Sequence, residues 1–306
     1  MNSPFPSILI LSSFYLQTAG LSIYEKKGLM LVTDLSLPQA YFSKIVRAVV
    51  EFDLIANGDR ILIGLSGGKD SLLLTYALAM IRERFKKDFT LLALTVDPMF
   101  SGSFDTKRLT SFCASLGIPH ETHAVDIAAI LESDKKDSPC FTCAFFRRGA
   151  IDRYAVGHGC NKVAYAHHND DAVETLLMSL LCSGQLRTFT PKTYLDRTGL
   201  TVIRPLVYLR EREIVDAVRG RGLEPVSSPC PLDGRTARQR IKELVASLEK
   251  ENPLTYAHLA SALRENNAGE LWPAARTRGE MKETYRRFVR DSRMFSEDAR
   301  KNGGQP

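Results

Sequence analysis

Residues 61 to 74 read ILIGLSGGKDSLLL, a glycine turn with an apolar run on one side and helical spacing on the other. Arg60 to Leu65 is short and apolar, which predicts a strand, and DSLLLTYALAMIRERF after it predicts a helix. A turn so placed is a phosphate site. Gly67 and Gly68 let the backbone approach an anion, the free N–H groups of the helix start face it, and Lys69 adds a positive charge. The spelling excludes two common nucleotide turns. The Walker pattern needs Gly four residues before its Gly-Lys pair and Ser or Thr after it, where this chain has Ile63 and Asp70. Gly64, Gly67 and Gly68 also miss the G-x-G-x-x-G spacing of dinucleotide folds.

What remains is Ser66-Gly67-Gly68-Lys69-Asp70-Ser71. This resembles the PP-loop of the ATP pyrophosphatases, enzymes that split ATP between its α and β phosphates and activate a carbonyl oxygen as its adenylate. The resemblance implies that all six residues bind ATP.

Around the turn, strands and helices alternate. Residues 39–56 predict a helix ending at Asn57-Gly58; TLLALTVD, a strand closing at Asp97; 106–116, a helix stopped by Gly117 and Pro119. HETHAVD reads as a third strand, 147–156 as a helix, KVAYAHH as a fourth strand and DDAVETLLMSLL as the helix after it. LTVIRPLVYL reads as a last strand before the helix REREIVDAVRG. The expected fold is therefore α/β: a Rossmann-like parallel sheet with helices on both faces and ligands outside the carboxyl ends of the strands. We divide the chain into an extension (1–29), a leading helix (30–56), a catalytic domain (57–250) and a basic C-terminal helical tail (251–306). With 306 residues, 44% of them apolar, a full core is available. The net charge of +6 suits a polyanionic partner without requiring one. ILILSSFYL near the start is too short to span a bilayer and has no basic residue before it, so a cytoplasmic protein with no membrane partner is expected.

Cys140 and Cys143 form a C-x-x-C pair followed by Arg147-Arg148, and Cys230 stands alone in SSPCPLDG. Such a pair serves redox chemistry, half a zinc site or part of an iron–sulfur site. A structural zinc wants four ligands, usually as two compact pairs, and no second pair exists. Three thiolates suffice to hold an iron–sulfur cluster with one iron open. Cys113, Cys160 and Cys182 occupy apolar contexts and read as small core residues.

The PP-loop, the C-x-x-C with its basic pair, AHHNDDAVETLL, VIRPLVYLRE and the late cysteine resemble, in that order, the tRNA-cytidine 2-sulfurtransferase family over residues 44–250. That resemblance implies an ATP- and magnesium-dependent enzyme. It would carry a [4Fe-4S] cluster on Cys140, Cys143 and Cys230, and replace the C2 oxygen of cytidine 32 in tRNA with sulfur from a donor, either sulfide or a desulfurase relay. It implies a homodimer as well. Two departures stand out: AHHNDD where the family has GHHRDD, and Pro-Leu-Asp-Gly after Cys230 where its best-known members have Gly-Ser-Gln.

Under this reading Gly67, Gly68 and Ser71 hold the departing pyrophosphate and Lys69 offsets its charge. Asp70 is a magnesium or loop-ordering residue. Asp170 and Asp171 are further magnesium candidates, one of which serves equally as a helix cap. Asp97 contacts the adenosine or makes a turn before Pro98. His167 and His168 serve phosphate contact or structural hydrogen bonding. Arg147, Arg148, Arg235, Arg238, Arg240 and Lys242 are candidate contacts to RNA phosphates or a solvated face. The alternatives are thiolation of another tRNA nucleoside or a small molecule, a persulfide pair without a cluster, and a zinc-stabilised RNA-binding module without catalysis.

Overall fold

The computed structural model describes residues 35–85, 87–100, 104–133, 139–226, 230, 237–264 and 277–287. The expectations for 1–29 and for Arg235 lie outside the described residues. The chain divides into two units, Met1–Ala260 and Ser261–Pro306. The first unit carries, in order, α1 (Gln39–Glu51), β1 (Arg60–Gly64), α2 (Lys69–Phe85), β2 (Thr90–Asp97), α3 (Thr106–Ser115), β3 (His120–Ala124) and α4 (Ile127–Ser133). There follow α5 (Pro139–Gly157), β4 (Lys162–Ala164), α6 (Asn169–Ser183), β5 (Lys192–Leu195), β6 (Leu200–Ile203), α7 (Glu211–Gly220), α8 (Ala237–Glu251) and α9 (Thr255–Ser261). In the second unit residues 277–287 hold a helical stretch opened by reciprocal bonds, Thr277 N–H to Glu280 Oε2 at 2.7 Å and Glu280 N–H to Thr277 Oγ1 at 3.3 Å.

The six strands form one sheet in the order β3-β2-β1-β4-β6-β5. All pairings are parallel except β5 with β6. Side chains alternate across it. Ile61, Ile63, Leu91, Ala93, Ala164 and Ile203 face a core shared with α1, α2, α3 and α7. Leu62, Leu94, Val96 and Val163 face a second core under α5, with Ala150, Ile151 and Ala155. Both faces are thus covered by helices, as a parallel sheet of continuous apolar strands requires. β1 connects to β2 on one side and the chain then returns to place β4 on the other. The crevice outside the carboxyl ends of β1 and β4 is therefore the topological switch point where such sheets take ligands.

At the opposite end, β1 and β4 are locked by buried charge. Lys162 Nζ lies 2.7 Å from Asp59 Oδ2 and 2.8 Å from the Leu54 carbonyl. Asp59 also accepts from Ala56 N–H at 2.6 Å and from Asn161 Nδ2 at 2.8 Å. These bonds fix the register of the two strands that frame the crevice.

Several expected boundaries shift. The fourth strand stops at Ala164, because Tyr165 to His168 leave the ladder at the crevice, and the last strand stops at Ile203, before Pro205. α5 begins at Pro139, a favoured first helical residue, so the cysteine pair is helical. α1 ends at Glu51, short of Ala56; β5, α4 and α8 have no counterpart in the sequence reading. Cys182 is exposed, a correction to its reading as a core residue: the last turn of α6 overruns the core, leaving Leu180 and Leu181 exposed too.

Candidate functional site

The turn after β1 is built by its own backbone. Gly67 adopts φ +82°, and a Cβ there would lie 3.3 Å from Cβ of Val226. Its carbonyl accepts from Val226 N–H at 2.9 Å. Ser66 Oγ donates to Ser71 Oγ at 3.2 Å, and Ser71 Oγ donates to the Gly68 carbonyl at 2.9 Å. The two serines brace the loop while Gly68 stays open, with only Ser66 Oγ near a Cβ position, at 3.6 Å. Leu72 N–H already bonds to the Gly68 carbonyl at 3.1 Å. The N–H groups before it remain at the helix start for an anion.

Lys69 leans back on α7. Its Nζ lies 3.1 Å from Glu211 Oε1 and 3.2 Å from Asp70 Oδ1. Burial works against its charge, but the carboxylates of Asp70 and Glu211 outweigh that and raise its pKa. Glu211 also holds Lys242 Nζ at 2.5 Å. Burial opposes ionisation of Glu211, yet its hydrogen bonds from Lys242 and Lys69 prevail and bring its pKa down to about 2.

The acidic pair opens α6. Asp170 accepts from Arg210 Nε at 3.0 Å and from Glu211 N–H at 2.7 Å, so it caps α7. Asp171 accepts from His168 N–H at 3.0 Å and caps α6, while its Oδ1 pairs with Arg238 Nη1 at 3.0 Å. Arg238 also reaches Glu174 Oε2 at 3.3 Å. Burial raises the pKa of Glu174 and the Arg238 charge opposes it. Both capping carboxylates are thus committed to partners. Asp70 is different: its Oδ1 is buried with no hydrogen-bond partner among the described residues, although Lys69 balances its charge. Buried His168 sits over all three, with ring nitrogens 3.4 Å from Asp171, 3.7 Å from Asp170 and 3.9 Å from Asp70.

His167 turns the other way. Its ring meets Phe189 at 5.0 Å and Tyr165 at 5.9 Å between centroids. Burial is the main cause that lowers its pKa to about 4, with Asp171 opposing and Arg204 adding to the shift. At the end of β2, Asp97 Oδ1 accepts from Met99 N–H at 2.9 Å, a turn that leaves Met99 at φ +57°.

Cys140 and Cys143 sit one turn apart at the start of α5, Cys140 exposed and Cys143 half-buried. Burial raises the pKa of Cys143, Arg147 pulls it back, and the nearby thiols of Cys230 and Cys140 push it up again. The fold therefore brings the three cysteines and Arg147 together from distant parts of the chain. Among the described residues no three His, Cys, Asp or Glu side chains are drawn in closely enough to hold a single metal ion. Arg148 is exposed and its Nε donates to the Ala144 carbonyl at 3.1 Å. Arg240 and Lys242 are exposed on α8.

The sequence reading missed Glu211, Arg210 and Glu174, whose partners lie far away in sequence, and Tyr256, over whose ring Arg210 stacks and whose hydroxyl donates to Asn169 Oδ1 at 2.7 Å. For Glu211 the signal was its place in VIRPLVYLRE, at a helix start facing the crevice. No helix of the described residues is long and apolar enough to cross a membrane.

A family described as a PP-loop domain matches residues 39–249. The tRNA-cytidine(32) 2-sulfurtransferase of Geobacter metallireducens is 39% identical over 221 residues, 71% of this chain and 86% of that protein. The enzyme of the same name from Legionella pneumophila is 34% identical over 230 residues, 74% of this chain and 80% of that protein. Among solved structures, the U34-tRNA thiolase NcsA from Methanococcus maripaludis with its [4Fe-4S] cluster shares the fold. It superposes with a TM-score of 0.62 at 22% identity, covering 76% of this chain and 79% of that one. With its PP-loop at the switch point and relatives of this identity over most of their length, the chain belongs to the PP-loop family and, within it, to the tRNA-cytidine(32) 2-sulfurtransferases.

Proposed function

We propose that this protein is a cytoplasmic, ATP-dependent tRNA sulfurtransferase that converts cytidine 32 to 2-thiocytidine, as its relatives' name implies. One observation carries the reading: the phosphate turn with Lys69 and the Cys140, Cys143 and Cys230 thiols belong to the same end of one sheet, so activation and sulfur delivery can meet on one base.

Oxygen leaves a base carbonyl badly. In the first step O2 of the cytosine attacks the α-phosphorus of ATP and the bond to the β-phosphate oxygen breaks, releasing pyrophosphate. In the second a sulfur nucleophile attacks C2 and the C2–O bond breaks, releasing AMP. The N–H groups of Gly67 and Gly68 and the Lys69 ammonium stabilise charge on the departing pyrophosphate. Asp70 Oδ1, ion-paired with Lys69 but without a hydrogen-bond partner among the described residues, is the carboxylate oxygen available for Mg2+, since Asp170 and Asp171 are held by Arg210 and Arg238.

Cys140, Cys143 and Cys230, thiols from two segments that lie near one another, fit a [4Fe-4S] cluster, the group that the fold relative NcsA carries. When bound, such a cluster supplies an iron with an open position for inorganic sulfur. Burial holds Cys143 towards its thiol form, and the Arg147 guanidinium beside it offsets part of that. Exposed Arg148 and Arg240 provide phosphate contacts for tRNA; Arg238, bound to Asp171 and Glu174, positions the acidic pair. A sulfur donor and a second copy of the chain complete the expected partners.

Mass spectrometry of nucleosides from bulk tRNA, with and without the gene, tests this. Loss of 2-thiocytidine, restored by the wild-type gene and by none of Cys140→Ser, Cys143→Ser and Cys230→Ser, is the expected result. Unchanged 2-thiocytidine overturns it.

A further inference from the structure

Five buried side-chain polar atoms have no hydrogen-bond partner among the described residues: Asp70 Oδ1 and His168 Nδ1 belong to the acidic cluster, and outside it stand Tyr165 Oη, His167 Nδ1 and Arg204 Nε. Buried polar groups without partners are rare and call for a cause. The last three are neighbours. Tyr165 and His167 are two residues apart in the extended segment after β4, and Arg204 follows β6, whose Ile203 carbonyl accepts from Tyr165 N–H at 3.0 Å. The Tyr165 ring lies 3.0 Å from a Cβ position at Gly64, at the foot of the phosphate turn. From α5, Asp152 and Arg148 act on its hydroxyl electrostatically, as does Arg204. The group therefore stands between the turn and the helix that carries Cys140 and Cys143.

Its chemistry is that of a flat, neutral ligand. Phe189 closes one side, with the Arg204 guanidinium 5.1 Å from its ring centre. Arg204 Nη1 is already used, donating to the Thr190 carbonyl at 2.6 Å and Thr193 Oγ1 at 3.0 Å, so Nε is its unmet donor. Tyr165 Oη donates or accepts, and so does a neutral imidazole according to its tautomer. A phosphate only accepts. A pyrimidine presents both donors and acceptors on one edge and a face to stack.

We infer that Tyr165, His167, Arg204 and Phe189 form the pocket that receives the acceptor pyrimidine, turned out of the RNA loop, between the phosphate turn and the cysteine pair. This rests on the sulfurtransferase reading above for the identity of the RNA. A target base must leave its stack to be reached, and an unpaired loop base does so at least cost. Tyr165 and Arg204 would hold its hydrogen-bonding edge, leaving C2 exposed to both reacting partners.

The test uses the full-length protein and an anticodon stem-loop RNA with fluorescent pyrrolocytidine at position 32, beside unlabelled tRNA for thiolation. Wild type should change the pyrrolocytidine signal on binding. Tyr165→Phe and Arg204→Met should lose most of that change, with RNA affinity and ATP affinity kept within about twofold and kcat/KM for thiolation about 10- to 100-fold lower, as for one unmet buried partner. Tyr165→Phe removes a single oxygen and guards against a misfolded Arg204 variant. A signal as large in both variants as in wild type overturns the pocket, and so does a parallel loss of ATP affinity, which would put the adenine there. A wild type that shows the signal but thiolates nothing would instead sink the functional reading and leave the pocket standing.

Discussion

Lys69 Nζ lies 3.1 Å from Oε1 of Glu211, so the charge of the phosphate turn is aimed by a carboxylate at the start of α7. Glu211 is in turn held by Lys242 and by its own N–H bond to Asp170. A lysine on a flexible stem is pre-organised in this way before any nucleotide arrives.

Glu211→Gln should lower tRNA-dependent AMP release about tenfold with little change in KM for ATP, because Lys69 keeps its charge and loses its aim; Lys69→Met should cost about a hundredfold or more. Chromatography of the released AMP reads both. A Glu211→Gln variant as fast as wild type would show that the ion pair does not orient Lys69.

Gly67→Ala should weaken ATP binding about tenfold, since a left-handed backbone and a Cβ 3.3 Å from that of Val226 both oppose it. Titration calorimetry with ATP measures this. Unaltered affinity would mean that the turn opens when nucleotide binds.

Asp59→Ala leaves Lys162 charged and buried with one partner fewer, and should destabilise the fold by about 3 to 5 kcal/mol. Urea unfolding gives the value. Because the pair braces β1 against β4 from below, the double change to Asp59→Leu with Lys162→Met should cost less than the single one.

His167 is held near pKa 4 chiefly by burial, against 6.5 in an ordinary histidine. Between those values the unfolded chain takes up a proton that the folded one refuses, so stability falls as pH drops from about 6.5 towards 4. Above 6.5 its contribution is fully present. Urea midpoints at pH 7.5 and 4.5 should therefore differ more for wild type than for His167→Phe; equal losses would assign the acid sensitivity elsewhere.

In the metal-free chain, iodoacetamide at pH 8 should alkylate exposed Cys140 and Cys182 first, followed by Cys143. Cys113, buried and with its thiol pushed up to about 12, and Cys160, also raised by burial, should stay unlabelled. Peptide mass spectrometry separates them. Rapid labelling of Cys113 would indicate that α3 opens.

The alternation of apolar runs and helical spacing was enough to read the parallel sheet, the place of Ser66 to Ser71 and the covering of both faces. Boundaries at the crevice were not legible, because KVAYAHH runs on without a glycine or proline break and only the loss of ladder partners sets Tyr165 to His168 apart. The edge strand β5 escaped notice: KTYL is short, and its alternation of exposed and half-buried residues leaves little apolar signal. Glu211 and Arg238 act through residues 142 and 67 positions away in sequence, beyond the reach of local patterns. Arg238, read as an RNA contact, has carboxylate partners that only the fold reveals.

The cysteine pair rides on α5, a helix of 19 residues whose later turns, through Ala150, Ile151 and Ala155, are seated in the core. Its bearing is therefore set by helical phase. One residue inserted between Cys143 and Ala150 would swing both sulfurs by about 100° around the axis, away from Cys230, without disturbing a single strand. The helical span from Cys143 to Ala150 therefore keeps the sulfurs facing Cys230 only at its present length or at lengths that differ from it by close to a whole number of turns.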